Sequence, residues 1–249
     1  MNLLDFLFLV VAGFFSGLVG FVTGLASIVS YPALLSVGLS PVSANMTNTV
    51  ALVAVGVGAL ANSSREVADT GPKLVRWSLY SAAGGIIGAL ILWLAPEGSF
   101  ESVVPAMVVF ASLALLLQPK IRELSGGGDR PGIYSAALFA VAVYGGYFGA
   151  GAGVIFLAAT LILTSETVWR ATILKSFFLG IANLVAALIF AFSGQVHWVA
   201  ALAMALGALA GGWCGPPPRW IPHRSSSRCR RSSPATWFPT RFWCSIRFR

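Results

Sequence analysis

The chain has 249 residues, of which 57% are hydrophobic and 10% are charged, and its mean hydropathy is +0.83. Soluble domains average about 25% charged residues, so this composition excludes an ordinary soluble protein and indicates a polytopic membrane protein. The net charge of +8 does not indicate nucleic-acid binding, because residues 1–215 carry eight basic and eight acidic side chains and the excess comes from eight arginines in 219–249.

Seven apolar stretches follow one another along the chain. A helix needs about 20 residues to cross about 30 Å of hydrocarbon. Five of the stretches fit one crossing, whereas the first and the fifth are too long for one. The stretches are 3–38, 43–61, 75–95, 102–118, 132–163, 171–193 and 197–214. The sequence therefore predicts an all-α multi-pass membrane protein in which each long stretch forms a hairpin of two shorter helices.

The chain is internally duplicated. A glycine pattern in the first long stretch recurs in the second at an offset of 129, and residues 44–49 then match 171–176 at an offset of 127. A third pair of segments opens with Arg76-Trp77 and His197-Trp198. The matching glycines are Gly17, Gly20, Gly24, Gly84 and Gly88 in one half and Gly146, Gly149, Gly153, Gly207 and Gly211 in the other. Three corresponding segments in order predict two membrane repeats, 1–118 and 132–215, joined by a cytoplasmic linker, 119–131.

Loop charge predicts how the repeats are oriented. Cytoplasmic loops are enriched in Lys and Arg, which places the basic joints 62–76 and 119–131 inside and the acidic turn 95–101 outside. On this scheme 171–193 runs opposite to its counterpart 43–61. The repeats are therefore predicted to be inverted, each consisting of a glycine-broken hairpin followed by spanning helices. The two breaks, near Gly20–Gly24 and Gly149–Gly153, are expected to meet near the midplane.

The second repeat lacks a counterpart of 102–118. The chain continues instead as a basic tail, 216–249, that holds six of the thirteen prolines and cannot form the last spanning helix. A frameshifted product and a natural tail lying on anionic headgroups are both compatible with this composition. Without its fourth segment, the second half is expected to expose an apolar groove.

Motifs for enzyme chemistry are missing from the sequence. The glycines around Gly151 follow no predicted strand and precede no Gly-Lys-Ser/Thr, and no catalytic triad or His-Glu-x-x-His occurs. The three cysteines and two histidines form no ligand pattern. We therefore expect neither an enzyme nor a metal site or cofactor.

The polar residues of the apolar stretches and the glycine breaks form the candidate substrate site. If the breaks meet the starts of the helices 43–61 and 171–193, two positive helix ends with free N–H donors and hydroxyls face one cavity, which suits an anion. Thr, Ser and Asn there are alternatively caps or packing residues. Lys175 either supplies charge to the site or snorkels to the headgroups, and Asn183 either faces the cavity or bonds another helix. The candidates are Gly20, Gly24, Thr47, Asn48, Thr49, Gly149, Gly153, Thr172, Lys175, Ser176 and Asn183.

These features resemble a known family. The paired glycine hairpins, the segments 44–49 and 171–176, and the later residues Asn183, Phe190, Gly194, Val196 and Trp198 are together similar to the TauE/SafE sulfite and organosulfonate exporters, over about 1–215. The resemblance implies a multi-pass permease of the bacterial inner membrane for small sulfur-containing or carboxylate anions, with the bilayer as its other partner. The alternative is a non-transporting membrane subunit or an inactive truncated or frameshifted product.

Overall fold

The computed structural model describes residues 2–61, 63, 67, 71–96, 98–123 and 130–214. Within these residues the regular elements are all helices, which confirms the predicted all-α class. In chain order they are α1 (Leu3–Thr23), α2 (Ala26–Ser36), α3 (Pro41–Ala61), α4 (Pro72–Leu94), α5 (Ser99–Glu123), α6 (Pro131–Tyr147), α7 (Ala152–Leu163), α8 (Val168–Ala191) and α9 (Trp198–Trp213). The predicted tail, with the question of a frameshift, lies outside the described residues.

Four of these helices, α1, α3, α4 and α8, are long and apolar enough to cross a membrane. Local sequence sets where several helices begin. Asp5 accepts a hydrogen bond from the Asn2 backbone at the start of α1, and prolines 72 and 131 occupy the first positions of α4 and α6, where a missing N–H is harmless. Thr167 caps α8 by accepting a hydrogen bond from the Arg170 backbone. The molecule is a multi-pass helical membrane protein.

The first helix of each hairpin packs along a helix of the other half of the chain. α1 packs along α9, and α6 packs along α4. At both seams a glycine of the later repeat segment touches a backbone carbonyl of the hairpin helix, so a Cβ atom there would collide. The contacts pair Gly84 with Phe139, Gly88 with Val143, Gly207 with Val10 and Gly211 with Phe14. The hairpin residues of the two seams are 129 positions apart, so the duplicated sequence builds one seam twice. These glycines therefore allow the helix backbones to pack in direct contact.

The same contacts give helix directions. Because residue numbers rise together on both sides of each seam, α1 runs parallel to α9 and α6 runs parallel to α4. α4 is also parallel to α8, since Ser81 donates to the Phe178 carbonyl and Gly85 touches Ala182 one turn later. α4, α6 and α8 therefore form one set of parallel helices, and α1 and α9 form another. That the repeats are inverted relative to each other stays a prediction. The orientation of the sets across the bilayer stays a prediction.

One expectation about the repeats is wrong. α5, the fourth segment of the first half, packs against α7 in the second half. None of the residues of α7 is exposed, whereas Ile28, Pro32 and Ser36 of its repeat mate α2 are. A fourth segment therefore covers the hairpin of the opposite repeat. Among the described residues the exposed face lies on α2 in the first half, whereas the sequence predicts a groove in the second half.

Candidate functional site

Each hairpin is broken by glycine in a left-handed backbone conformation. α1 ends at Gly24, with φ of 83°, and α2 begins two residues later. Between α6 and α7, Gly149 and Gly151 have φ values of 75° and 76°. Residues with a Cβ atom rarely adopt this conformation. The breaks therefore fall where the glycine patterns predict them.

The two breaks touch each other. A Cβ atom on Gly24 would lie 2.6 Å from the carbonyl carbon of Gly153, and one on Gly153 would lie 2.5 Å from the Cα atom of Gly24. These glycines are repeat mates at the offset of 129. A residue that contacts its own repeat mate lies on the axis relating the two copies, so the breaks meet at the centre of the duplication.

A cavity of about 60 Å³ lies at this meeting point. At about 10–15 Å³ for each water, it holds on the order of four waters, which suits a small ion. Nine of the eleven candidate residues line it, namely Gly20, Gly24, Asn48, Thr49, Gly149, Gly153, Lys175, Ser176 and Asn183. The structure thus brings together residues from both halves, and no Asp or Glu is among the described residues that line the cavity.

Lys175 is the one charged side chain among the described residues that is buried, with 1% of its surface exposed. Its ammonium donates hydrogen bonds to the carbonyls of Gly20, at 3.0 Å, and Phe21, at 2.8 Å. The snorkelling alternative is therefore wrong. The last turn of α1 has no basic residue, so Lys175 supplies from α8 the cation that favours a helix C-terminus. An ammonium has three donors, and the third has no partner among the described residues.

Asn48 on α3 is the repeat mate of Lys175 at the offset of 127. Its Nδ2 donates to the Ser27 hydroxyl oxygen at 3.2 Å, which leaves the Ser27 proton free to donate. Its Oδ1 is buried without a hydrogen-bond partner, and an unpaired buried polar atom is costly. Asn183 is half-buried, and no described residue bonds its side chain. Together with Lys175, four side chains at the cavity thus keep unused hydrogen-bonding capacity.

Helix N-termini also face the cavity, but they are not the expected ones. Residues 47–49 lie more than one turn inside α3, and Lys175 lies in the second turn of α8, so the starts of α3 and α8 are not at the site. The N-terminal residues that line it, Ala26 and Ser27 in α2 and Ala152 and Gly153 in α7, follow the breaks directly. The Ala152 N–H is bonded to the Gly149 carbonyl, but the other N–H groups and the positive helix ends favour an anion.

Two candidates, Thr47 and Thr172, do not line the cavity. The Thr47 hydroxyl accepts the backbone N–H of His197 at 3.0 Å, and the Thr172 hydroxyl donates to the Val168 carbonyl of its own helix. The packing interpretation holds for both. The inner-facing Ser176 and Thr49 hydroxyls also donate within their own helices, to Thr172 and Asn45, and so present only lone pairs to the cavity.

Sequence reasoning missed Ser27 and Phe148, which line the cavity. Ser27 follows the break after α1, and Phe148 lies inside the break between α6 and α7. This position next to a break is the feature by which the sequence could have indicated them. Ser27 has no polar counterpart, because residue 156 at the repeat offset is Phe. Phe148 packs edge-on against Tyr31 and Phe100 and closes the side of the cavity towards α2 and α5.

The fold and the cavity define a class of protein: a duplicated helical membrane protein with broken helices meeting at a central site, as in secondary transporters. The family model for the sulfite exporter TauE/SafE matches residues 6–227. The chain belongs to this family. The match extends past residue 215, the limit that the sequence analysis gave for the resemblance.

Curated relatives are named as probable membrane transporter proteins. The chain is 29% identical to ORF9 of Sinorhizobium sp., over 86% of this chain and 82% of the relative. It is 27% identical to YunE of Bacillus subtilis strain 168, over 85% and 88%, and 25% identical to YfcA of Escherichia coli strain K12, over 80% and 75%. No solved structure matches the chain. The protein is therefore a multi-pass membrane protein of a transporter family, consistent with the inner membrane of bacteria.

Proposed function

We propose that the central cavity binds a small anion such as sulfite, an organosulfonate or a related sulfur-containing or carboxylate anion. The chain carries this anion across the inner membrane by alternating access. The observation that carries the proposal is the buried Lys175 ammonium, which faces a cavity that no described carboxylate lines. A lysine inside a membrane helix costs up to about 2.5–3.5 kcal/mol on insertion scales, the value at the helix centre, so a buried lysine there favours a functional role.

The donors around the cavity suit an anion. The third N–H of Lys175 and the hydroxyl proton of Ser27 are both available, and the N-termini of α2 and α7 add backbone N–H groups. In an alternative arrangement, half a turn of the Asn48 amide would let Oδ1 accept the Ser27 proton, and Nδ2 would then replace the Ser27 hydroxyl as the donor to the bound anion. That rotation removes the unpaired buried acceptor. The anion then neutralises the one buried charge among the described residues.

The experiment is anion transport into membrane vesicles that contain the purified protein. Sulfite, thiosulfate, taurine, sulfoacetate and simple carboxylates are tested in parallel. Asn183→Asp adds a negative charge beside the cavity without removing a hydrogen bond seen in the described structure. Like charges about 6 Å apart repel by roughly 3 kcal/mol at an effective dielectric constant of about 20, so transport should fall by at least about tenfold.

Gln195→Glu is the matched control, because it adds the same charge at an exposed loop position and should transport normally. The proposal is wrong if none of these anions is transported, or if Asn183→Asp carries the transported anion as fast as the unmodified protein.

A further inference from the structure

A second cavity, the side cavity, lies beside the central one. It has a volume of about 270 Å³ and is lined by Ile28, Tyr31 and Pro32 on α2, by Val108 and Ser112 on α5, and by the break between α6 and α7. A protein cavity of about 150 Å³ binds benzene, so the side cavity has room for one aromatic ring or a chain of several carbons. The central cavity, at about 60 Å³, holds little more than a small ion.

The side cavity suits a nonpolar group. No charged side chain is among the described residues that line it. The Ser112 hydroxyl already donates to the Val108 carbonyl at 2.8 Å, and the Tyr31 ring packs edge-on against Phe148. An anion that entered here would lose its hydration without meeting a positive charge in return. The side cavity is therefore a poor route for the anionic group itself and a good container for carbon.

The two cavities border each other at Ser27 and Phe148, which line both. On the central side, the Ser27 hydroxyl proton is free to donate to an anion, because its oxygen accepts from Asn48. The Phe148 ring is buried and offers a carbon surface at the border. A nonpolar chain attached to an anionic group at Ser27 therefore enters the side cavity directly.

The matching position in the other hairpin is closed. The repeat mate of Ser27 at the offset of 129 is Phe156, and the mate of Ile28 is Leu157. Both mates are buried, and the Phe156 ring packs among aromatic rings of α6 and α8. A ring thus fills in α7 the position where α2 has a small hydroxyl side chain. The chain has kept the path open on the α2 side alone of these two positions.

We propose that the side cavity is a subsite for the nonpolar part of the transported anion. The substrate class is then sulfonates or carboxylates that carry one aromatic ring or an alkyl chain of up to about six carbons. The anionic group lies in the central cavity against Lys175 and Ser27, and the chain lies between α2, α5 and Phe148. This inference rests on the proposed function of the central cavity as an anion site.

Calorimetric titration of the protein in nanodiscs with alkanesulfonates, from methanesulfonate to hexanesulfonate, tests the subsite. Empty nanodiscs give the heat of partition into lipid, which is subtracted. Each buried methylene tightens binding by up to about fourfold, so hexanesulfonate should bind at least about thirtyfold more tightly than methanesulfonate. Hexylammonium carries the same chain with the opposite charge and should not bind measurably, because the Lys175 ammonium repels it.

A pair of variants on α5 shows where the chain binds. Val108→Trp fills the side cavity from a side chain that is 46% exposed, so the indole displaces no packed core. It should reduce the gain from methanesulfonate to hexanesulfonate to less than about threefold and leave methanesulfonate binding unchanged. Val109→Trp is the matched control, because Val109 is also exposed but does not line the side cavity. It should keep the whole gain.

Equal affinity along the series in the unmodified protein would overturn the inference and would mean that lipid or another segment fills the side cavity. A gain that survives Val108→Trp, or hexylammonium that binds as tightly as hexanesulfonate, would overturn it too, since either places the chain elsewhere. If methanesulfonate binds and longer chains gain nothing, the subsite alone fails. If no sulfonate binds, the proposed anion site fails and the subsite with it. The series on the unmodified protein decides the matter even when a variant fails to insert.

Discussion

The two halves of the chain use the same residue type at their helix contacts but different residue types around the cavity. Both use glycine on backbone carbonyl to join a hairpin helix to a later helix, but one half places Lys175 at the cavity and the other places Asn48. The position of the site explains this contrast. Because repeat mates meet at the axis, two lysines would face one small cavity and repel each other. A site that lies on the axis relating the two repeats favours a single charge. The two glycine seams lie away from this axis and do not face each other, so the chain can keep both.

The halves also differ in how their short hairpin helices are covered. α7 is enclosed by α5, α6 and α8, and Leu157 in α7 is 1% exposed, while its repeat mate Ile28 in α2 is 53% exposed. The same hairpin design therefore sits in two environments. The similarity of the two hairpin sequences therefore does not determine their burial. The packing of α5, the fourth segment of the first half, on α7 of the second half does.

The variants with the largest expected effect test whether the two seams are equivalent. Gly88→Ala and Gly211→Ala each place a Cβ atom against a carbonyl oxygen, of Val143 and Phe14 respectively. Backbone cannot move aside as a side chain can, so each variant should lose roughly 3 kcal/mol, at the upper end of ordinary overpacking. The thermal unfolding midpoint in detergent measures this loss. Gly132→Ala is the control, because nothing lies within 4 Å of a Cβ atom there.

The two seam variants should be destabilised equally. A large loss in one with little in the other would show that the seams are not equivalent, and the contrast between seam and cavity would fail.

The next pair of variants tests the difference in burial between α7 and α2. Leu157→Ala should destabilise the protein by about 2–5 kcal/mol, the usual cost of truncating a fully buried leucine. Ile28→Ala should cost less than about 1 kcal/mol, because lipid already contacts the exposed half of that side chain and fills the space. Both are read from unfolding midpoints in the same detergent. Equal losses would mean that α2 is covered in the membrane as α7 is.

Much of this arrangement is predictable from the sequence, and the reason is physical. A left-handed break and a backbone contact both require glycine. The positions of Gly24, Gly153 and the seam glycines can therefore be recognised in the sequence. Polar side chains in apolar stretches are equally visible, which is why nine of the eleven candidates line the cavity.

What the sequence does not predict depends on backbone atoms and on crossing elements. The acceptors of Lys175 are the carbonyls of Gly20 and Phe21, 155 and 154 residues away, and a carbonyl has no residue identity to recognise. The packing of α5 on α7 is likewise invisible, since both segments are simply apolar. Thr47 was misplaced for a related reason: it is polar and near the candidates in sequence, but its helix turns it towards His197.

The smallest effect tests the boundary of the site. Thr47→Val removes the hydroxyl that accepts the His197 N–H and should cost about 1 kcal/mol, the usual net value of one hydrogen bond. Thr172→Val should cost less, because the hydroxyl only bonds a carbonyl of its own helix. Neither side chain lines the cavity, so both variants should transport sulfite at the rate of the unmodified protein once corrected for the amount of folded protein. Ser27→Ala, which removes a free donor at the cavity, should slow transport at a similar stability. If Thr47→Val slows transport as much as Ser27→Ala does, the contact between α3 and the start of α9 belongs to the transport machinery, and the division between a diverged cavity and a shared scaffold must be redrawn.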